Sequence, residues 1–600
     1  MFSRPIALII SLMWAWNVFA QQSRYESAYL RVDVAGDRSG FAVLAVDSLG
    51  KGKLDVNTIL PPETPDLTNH PPPAANGTDN PGWTFNFSER DITIHSWYSP
   101  TAAPLVLSLD PILCHPTLIG LFKDDGNMAL PALLHFPDHG TLRITSDRTG
   151  RSLGYDALRG TGNFVRVTFP PATPEQPSVE YGLEVVAIYP DSQDLADDNR
   201  YDGLRRNFLS IFQLNPRRHV LANHAASDPC AFTVYMYAAM AARMPPLADG
   251  LSAMDILRQT LDRYIGGMKA YGMALYDGNE QLAYDFLDTY PSLVMAAADY
   301  AVSSHDRPWI DRNYAAVKSW ADKMVEFDRD DDGLMEYPVS GNSGSWSADL
   351  TVRPSNWWDT IGFGHKDAYA NALAYGAFLK MANLARMASQ HEDALYYRNR
   401  ARKLKQAYYH TFYNPATGVL AGWKSADGRL HDYYFLFVNG AAVTYGVITR
   451  AQGEKIWDRL MKKMDEVGYR RFDFGLPGNL IPIRREDYVA AEKRWGGPQL
   501  EDGSDGFEIY ENGGATPSHA YFTIQALRIL GRDEDSDAIL YPMLRAFEEG
   551  GFQGRGPNGM TYDWKAWDGT PWGYEGLLVD GYMSLLAAIP GPPKRPVNRR

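Results

Sequence analysis

The sequence predicts an N-terminal β-sandwich followed by a closed ring of paired α-helices. Three observations lead to this fold class: strand-like alternation up to residue 220, helical periodicity after it, and long connections between successive helix pairs. At 600 residues the chain is also longer than one hydrophobic core usually spans, so two domains are expected. We therefore place an N-terminal domain at residues 21–220 and a helical domain at residues 221–590, with a flexible tail at 591–600.

The first 20 residues have the three parts of a secretory signal peptide. Arg4 supplies a positive charge, Ile6 to Val18 form an apolar stretch, and a small-residue cleavage site ends at Ala20. No later segment reaches the roughly 18 uninterrupted apolar residues that a membrane helix needs. We therefore expect cleavage after Ala20, export to the periplasm or the medium, and no membrane span.

The composition narrows the class of partner. The chain has 58 Lys and Arg against 72 Asp and Glu, a formal net charge of −14 at pH 7. This balance argues against a surface that binds nucleic acid or anionic lipid. Aromatic residues make up 12%, and many fall in predicted loops, where rings often stack on ligands such as sugars. Only Cys114 and Cys230 are present, so one disulfide at most can form.

Short alternating segments fill the region before residue 220. They are rich in β-branched and aromatic residues, and Gly, Pro and Asp separate them, which is typical of strands joined by turns. They include YLRVDVAG, FAVLAVDS, WTFNFSERDITIHSWY, GTLRITSD, FVRVTFP and EVVAIYP. This pattern favours a β-sandwich.

Eleven helices are predicted after residue 220 from apolar residues at i, i+3 and i+4 spacing, and a twelfth is expected within 205–215 or 485–495. The eleven cover residues 228–244, 251–271, 280–303, 307–327, 365–389, 391–411, 435–449, 451–467, 514–531, 533–549 and 573–588.

The connections between these helices alternate in length. Short connections make antiparallel helix pairs, and the long ones are 328–364, 412–434, 468–513 and 550–572. Because each long segment joins the second helix of one pair to the first helix of the next, all four should emerge at one end of the ring. Long structured loops usually carry function. An open solenoid is the alternative, but no repeat of fixed period is visible.

The first long loop contains a candidate general acid. Asp359 follows Trp357 and Trp358 and precedes a predicted helix. Neighbouring rings raise the pKa of a carboxyl by desolvation, whereas the positive end of a helix lowers it. A general acid must stay protonated near the working pH, so this setting suits Asp359. Capping of the following helix is the simpler alternative.

Carboxylates and aromatic residues in the other long loops complete a candidate site. If the loops share one end, Glu511, Asp563 and Glu575 converge on Asp359, and glycosidic hydrolysis needs two opposed carboxyl groups. Tryptophans there offer stacking faces for sugar rings, although loop packing would explain each one taken alone. The stacking candidates are Trp357, Trp358, Trp423, Trp564, Trp567 and Trp572, and His431 is a candidate to bind sugar hydroxyls.

These loops resemble those of the six-hairpin glycosidases, such as glucoamylase, trehalase and the amylo-1,6-glucosidase domain of glycogen debranching enzyme. WWDTIGFGHKDAYANALAYGAF is similar to the clan's segment of tryptophan, acid and helix, which implies that Asp359 is the acid. DRDDDGLMEY and YENGG resemble segments that shape the sugar pocket, so Glu336 and Asn512 are further substrate-binding candidates, as is Lys366 in the segment that follows Asp359. The resemblance implies a β-sandwich ahead of an (α/α)6 toroid and hydrolysis with inversion.

The resemblance leaves a choice for the catalytic base. NGMTYDWKAWDG is similar to the stretch that holds the clan's base, usually a Glu, but here Asp563 is the carboxylate nearest to Tyr562. Asp563 is therefore the first choice, Glu575 the second and Glu511 the third. A deep ring with long loops favours a pocket that takes the end of an oligo- or polysaccharide.

A calcium site, a lyase activity and sugar binding without catalysis are alternatives to this interpretation. DRDDDG matches the first half of a calcium-binding loop, but Glu336 and Val339 fall at the ninth and twelfth positions, so a hydrogen-bonded turn is favoured over Ca²⁺ and no cofactor is expected. A polysaccharide lyase on a similar ring could use Arg484 and Arg485 around an acidic sugar. A sugar-binding protein without catalysis is the non-enzymatic alternative.

Overall fold

The structure is a computed structural model. It describes residues 23–36, 40–61, 82–158, 164–189, 198–223, 228–275, 284–342, 354–358, 360–488, 499–501 and 504–589. The predicted signal peptide with its cleavage site after Ala20, the predicted tail at 591–600 and the candidate acid Asp359 lie outside the described residues. In the described part of the chain, every helix is too short or too polar to cross a bilayer.

Antiparallel β-sheets form the N-terminal part of the chain. The largest sheet has six strands, in the spatial order Trp83–Phe87, Asp91–Trp97, Ser178–Val186, Gly140–Ser146, Ala132–Phe136 and Thr117–Ile119. A second sheet has the order Leu105–Leu109, Phe164–Phe169, Ser152–Leu158 and Met128–Ala129. A third sheet contains Arg24–Glu26, Leu30–Val34 and Phe41–Val46.

The two larger sheets pack face to face. Along Ser178–Val186 every second residue is buried, as expected of a strand with one face on the core. The ring of Tyr181 from this strand meets the edge of Phe169 from the second sheet, with ring centroids 5.2 Å apart. The predicted β-sandwich is therefore confirmed.

Helices dominate the described residues after 198. The α-helices are Asp202–Asn207, Val234–Ala241, Ala253–Ile265, Thr289–Ser304, Arg307–Glu326, Ala368–Met387, His391–Phe412, Leu436–Thr444, Arg450–Val467, Ala520–Ile529 and Asp533–Glu548, and a 3-10 helix covers Val579–Ala588. The helix predicted within 205–215 is thus present a few residues earlier, whereas the alternative region 485–495 holds one 3-10 turn at Arg485–Asp487 in its described part.

Six of these segments form a closed inner ring. They are buried on almost every side, and each contacts the next, in the order Val234–Ala241, Thr289–Ser304, Ala368–Met387, Leu436–Thr444, Ala520–Ile529 and Val579–Ala588. The last of them also contacts the first, which closes the ring. Each inner segment packs on an outer helix, and the outer helices bury one face, as amphipathic helices do. This confirms the (α/α)6 toroid and excludes an open solenoid.

Tight turns join the two helices of a pair. Thr289–Ser304 ends at His305, whose φ of 53° lies in the left-handed region that commonly terminates helices. The next residue, Asp306, starts the outer helix by accepting a hydrogen bond from the backbone N–H of Trp309 at 3.0 Å. The inner helices therefore begin at the end of the ring where the long loops emerge.

Several helices begin later than predicted, among them those expected from 280 and 514, which start at Thr289 and Ala520. The helix expected from 228 starts at Val234, after a 3-10 turn, and the one expected from 573 is the 3-10 helix Val579–Ala588. In the second case Pro571–Gly573 pairs as a strand with Thr561–Lys565, so these residues are not available to a helix. Cys114 and Cys230 are both buried free thiols and form no disulfide.

Buried polar contacts join the β-sandwich to the helical ring. Arg206 in the first α-helix forms an ion pair with Asp47 at 3.1 Å, and both side chains are almost completely buried. Nearby, the backbone N–H of Asp138 donates to Asn207 Oδ1 at 2.7 Å, and Asn207 Nδ2 donates back to Asp138 Oδ1 at 2.6 Å. Burial raises the pKa of Asp138 to about 7, although Asn207 and the charge of Lys53 oppose the shift.

Asp138 should make the stability of the protein depend on pH. The unfolded chain releases the Asp138 proton near its ordinary pKa of 3.8, whereas the folded protein holds it up to about pH 7. Its contribution to the free energy of unfolding is therefore full below about pH 4 and is lost as the pH rises to 7. This decrease in the free energy of unfolding between about pH 4 and pH 7 amounts to at most about 4 kcal/mol, and it should be absent in Asp138→Asn, whose side chain does not titrate. Urea unfolding at several pH values measures this, and the exposed Asp124→Asn is the control.

Candidate active site

The four long loops meet at one end of the ring, as the sequence predicts. Trp423 Nε1 in the second loop donates to Gly341 O in the first at 2.9 Å. Tyr433 OH, also from the second loop, donates to Asp487 Oδ2 in the third at 2.5 Å. Trp567 Nε1 in the fourth loop donates to Gly513 O in the third at 2.7 Å. The carboxylates and aromatic residues of these loops are thus brought to the same end of the ring.

Buried carboxylates hold the residues that precede the candidate acid. Asp367 Oδ2 accepts hydrogen bonds from Ser355 Oγ at 2.6 Å and from Asn356 Nδ2 at 2.7 Å. Asp288 Oδ2 accepts one from the backbone N–H of Trp357 at 3.2 Å. The two aspartates lie at the starts of neighbouring inner helices, so the helical ring itself fixes this segment.

The electrostatics of these two aspartates reflect their burial. Burial raises the pKa of Asp367 to about 6, while its hydrogen bonds from Ser355, Asn356 and the backbone of Ala370 oppose the shift. Burial and then the charge of Asp367 raise the pKa of Asp288 well above its usual range. The positive ends of the inner helices favour negative charge at this same place. The site therefore contains two buried acids whose pKa values are raised.

Glu511 holds the other side of the segment. Its Oε2 accepts hydrogen bonds from the backbone N–H of Thr360 at 2.8 Å and from Thr360 Oγ1 at 2.5 Å. Glu511 is 1% exposed. Behind it, Tyr488 OH donates to Asp505, and the nearness of Glu511 contributes to the raised pKa of this tyrosine. The Glu511 carboxylate therefore binds Thr360, the residue that directly follows Asp359 in the sequence.

Asp563 and Glu575 form a second group of carboxylates. Asp563 Oδ1 accepts a hydrogen bond from Thr561 Oγ1 at 2.6 Å, and its Oδ2 is buried without a hydrogen-bond partner. Burial and then the charge of Glu575 raise the pKa of Asp563. A side chain on Gly573 would place its Cβ 1.7 Å from Asp563 Oδ1, so only glycine leaves room for this carboxyl. Glu575 is half-buried, so water can reach it more readily than Asp563.

An aromatic cluster links the two groups of carboxylates. The ring of His519 lies at its centre, with ring centroids 5.9 Å from Trp357, 5.0 Å from Trp358 and 5.6 Å from Trp564. Burial lowers the pKa of His519 to about 3, so this ring packs as a neutral group. The neighbours of Asp359 and Asp563 in sequence are thus parts of one packed unit.

The tryptophans predicted to stack on sugars divide into two sets. Trp358, Trp423 and Trp564 are at most 2% exposed, so their rings pack inside the protein and have no face open to a ligand. Trp357, Trp567 and Trp572 are half-buried and keep part of their surface. The stacking role predicted for the first set is therefore replaced by a packing role.

His431 and Asn512 also pack inside the protein. His431 is 2% exposed, its ring stacks on Trp423 at 4.5 Å, and its Nδ1 lies 2.9 Å from Asp487 Oδ2. Asn512 Oδ1 accepts from the backbone of Ile483 at 2.9 Å, and its Nδ2 donates to Asp505 O at 3.0 Å. Both side chains therefore have protein partners, and their predicted role in sugar binding stays a prediction.

Glu336 and Lys366 belong to a cluster of charges. Lys366 Nζ lies 2.6 Å from Asp330, 2.5 Å from Asp332 and 3.2 Å from Glu336. Asp328 completes the acidic turn, and oxygens of Asp328, Asp330 and Asp332 lie within 4.8 Å of one another. The ammonium of Lys366 already neutralises much of this group, which favours the predicted hydrogen-bonded turn over a calcium site. Glu336 and Lys366 are 6% exposed, so their buried ion pair stabilises the loop.

Several residues of this site were not predicted from the sequence. Asp288, Asp367, Asn356 and Thr360 act through hydrogen bonds to neighbouring segments, and a single sequence does not show such partners. One signal was available, because Asp288 and Asp367 each directly precede an inner helix.

Comparisons with known proteins identify the class of protein. Residues 289–470 match the family model described as bacterial alpha-L-rhamnosidase 6 hairpin glycosidase domain. The closed ring and this match make the chain a glycoside hydrolase with a six-hairpin glycosidase domain. No curated protein matches the sequence.

Solved structures with similar folds include rhamnosidases and other glycosidases. A rhamnosidase from Klebsiella oxytoca with rhamnose bound is 13% identical, with a TM-score of 0.43, over 84% of this chain and 88% of that chain. A rhamnosidase of Bacillus sp. GL1 is 13% identical, with a TM-score of 0.40, over 90% and 50% of the two chains. A mannosylglycerate hydrolase from Thermus thermophilus is 13% identical, with a TM-score of 0.43, over 64% and 100%.

Proposed function

We propose that this protein is an exported α-L-rhamnosidase that removes terminal sugars from an oligo- or polysaccharide with inversion of the anomeric centre. The match of residues 289–470 to a rhamnosidase domain carries the proposal, because this range contains the Asp359 segment and three inner helices of the ring. The predicted signal peptide supports export.

The proposed mechanism uses two carboxyl groups on opposite sides of the glycosidic bond. Asp359 protonates the leaving oxygen, and a second carboxylate removes a proton from the water that attacks the anomeric carbon. We propose Glu575 as this base. Asp563 is buried and burial raises its pKa, whereas Glu575 is half-buried and can meet a water molecule.

The buried carboxylates around the segment have a positioning role in this mechanism. Asp288 and Asp367 bind residues 355–357, and Glu511 binds Thr360. A small displacement of a catalytic group costs a large part of its rate enhancement. Anchoring the chain on both sides of Asp359 therefore supports its assignment as the acid.

The aromatic surface near the carboxylates suits a 6-deoxy sugar. Rhamnose carries a methyl group where most hexoses carry a hydroxymethyl group, and burial of a methyl against rings is favourable. Trp572 and Tyr574 are half-buried and pack against the cluster of Ile509, Tyr510 and Trp564. These rings lie next to Glu511 and Glu575 in the sequence, so an apolar sugar face can be accommodated beside the proposed base.

The proposal is tested with a panel of aryl glycosides and NMR of the released sugar. We expect p-nitrophenyl α-L-rhamnoside to be the best substrate and β-L-rhamnose to be the first product. Release of α-L-rhamnose would contradict inversion. Faster hydrolysis of a glucoside or mannoside would contradict the choice of sugar and leave the class of enzyme unchanged.

A further inference from the structure

A cavity lies between residues 199–200, the outer helix Asp533–Glu548 and parts of the third and fourth long loops. It has a volume of about 940 Å³ and is formed by residues 199–200, 470–474, 541–551 and Lys565. Its wall includes the half-buried rings of Phe472 and Tyr541. Of the candidate carboxylates that the structure describes, Glu511, Asp563 and Glu575, none lines it.

The charged side chains of this cavity are paired, with one exception. Among the described residues, each of these groups except Lys565 has an opposite charge within 4 Å. The pairs are Arg200 with Asp198, Arg470 with Asp465, Arg471 with Asp473, Arg545 with Glu549, and Arg206 with Glu548. Lys565, at 5% exposure, has no carboxylate within this distance in the described structure.

The surroundings of Lys565 satisfy its ammonium group only in part. Lys565 Nζ donates one hydrogen bond, to Gly551 O at 2.5 Å, although an ammonium group has three N–H donors. The rings of Phe552 and Phe474 lie 4.4 and 4.9 Å from Nζ and provide cation–π contacts. Burial lowers the pKa of Lys565 to about 8, with the more distant Asp473 and Asp563 opposing the shift. A buried charge without a counter-ion is costly, so an anion in the cavity would be stabilising.

We propose that this cavity binds an acidic saccharide through the carboxylate of a uronic acid unit, with Lys565 as its counter-ion. A single ammonium group matches the single charge of a carboxylate. The carboxylates of Asp473, Glu548 and Glu549 in the lining disfavour a doubly charged phosphate. The rings of Phe472 and Tyr541 offer apolar faces for a sugar ring. This site goes beyond the proposed hydrolysis and does not require it.

Binding to the full chain is measured by calorimetry with methyl β-D-glucuronide, methyl β-D-glucoside and acetate. The glucuronide should bind at least about tenfold more tightly than the neutral glucoside, which corresponds to about 1.4 kcal/mol. The Lys565→Met variant should lose this preference, and Lys455→Met, at an exposed lysine, should retain it. Equal binding of the two sugars by the wild type, or a preference that survives in Lys565→Met, would overturn the proposal. Acetate binding as tightly as the glucuronide would overturn its saccharide part.

A second measurement uses the wild type and does not depend on the folding of the variant. An amine-reactive acylating reagent is applied at pH 8, and modification of Lys565 is read by peptide mass spectrometry. Methyl β-D-glucuronide should reduce labelling of Lys565 and leave labelling of Lys455 unchanged. Equal labelling of Lys565 with and without the glucuronide would contradict binding at this cavity.

Discussion

The Asp359→Asn variant is expected to hydrolyse α-L-rhamnosides of simple alcohols about 10²–10⁴-fold more slowly than the wild type, because the leaving oxygen loses its proton donor. An asparagine has the same size but cannot donate a carboxyl proton. Substrates with a p-nitrophenyl leaving group should lose much less rate, since this group departs without protonation. Initial rates on the two kinds of substrate measure the difference.

The control for this experiment is an aspartate far from the loops. Asp458 is exposed on an outer helix and pairs with Arg532, so Asp458→Asn should leave both rates unchanged. Sugar binding by Asp359→Asn should persist, because the surrounding anchors remain. If both substrates lose rate equally in Asp359→Asn, this residue is not the acid.

The Glu575→Gln variant is expected to lose about 10²–10⁴-fold in turnover on every rhamnoside, including the p-nitrophenyl substrate, because activation of water does not depend on the leaving group. Azide attacks without losing a proton, so it should restore part of the rate and yield a rhamnosyl azide of inverted configuration. NMR of the product identifies this species.

Two variants separate Glu575 from the other candidates for the base. Glu534 is exposed at the start of an outer helix, so Glu534→Gln should behave as the wild type. Asp563→Asn should lose less activity than Glu575→Gln, since Asp563 is 3% exposed and is less accessible to water than Glu575. A larger loss in Asp563→Asn, with rescue by azide, would make Asp563 the base, which is the choice that the sequence alone favoured.

The architecture was predictable because it depends on local periodicity. Helical spacing and connection length alone indicated the ring, and tight turns such as the one at His305 join the pairs as expected. The starts of helices were less predictable. The last helix was predicted to begin at residue 573, but Pro571–Gly573 pairs with Thr561–Lys565, and a partner strand is not visible in a local pattern.

The candidate site was predictable at the level of loops and less so at the level of side chains. A tryptophan in a loop looks the same in the sequence whether its ring faces a ligand or is buried, as Trp357 and Trp423 illustrate. Likewise, Asn512 was chosen because YENGG resembles a pocket-lining segment, and in the structure its side-chain amide binds backbone groups. Exposure and hydrogen-bond partners depend on the assembled ring.

The closure of the inner ring has a consequence for folding kinetics. Val579–Ala588 contacts Val234–Ala241, although more than 300 residues separate them along the chain. Contacts between residues so far apart carry a large loop-closure entropy and form slowly. The other inner segments meet partners much nearer in sequence and can assemble earlier. The contact between the first and last inner segments should therefore be the last to form. A chain shortened before residue 579 should keep most helix pairs but lack a closed ring.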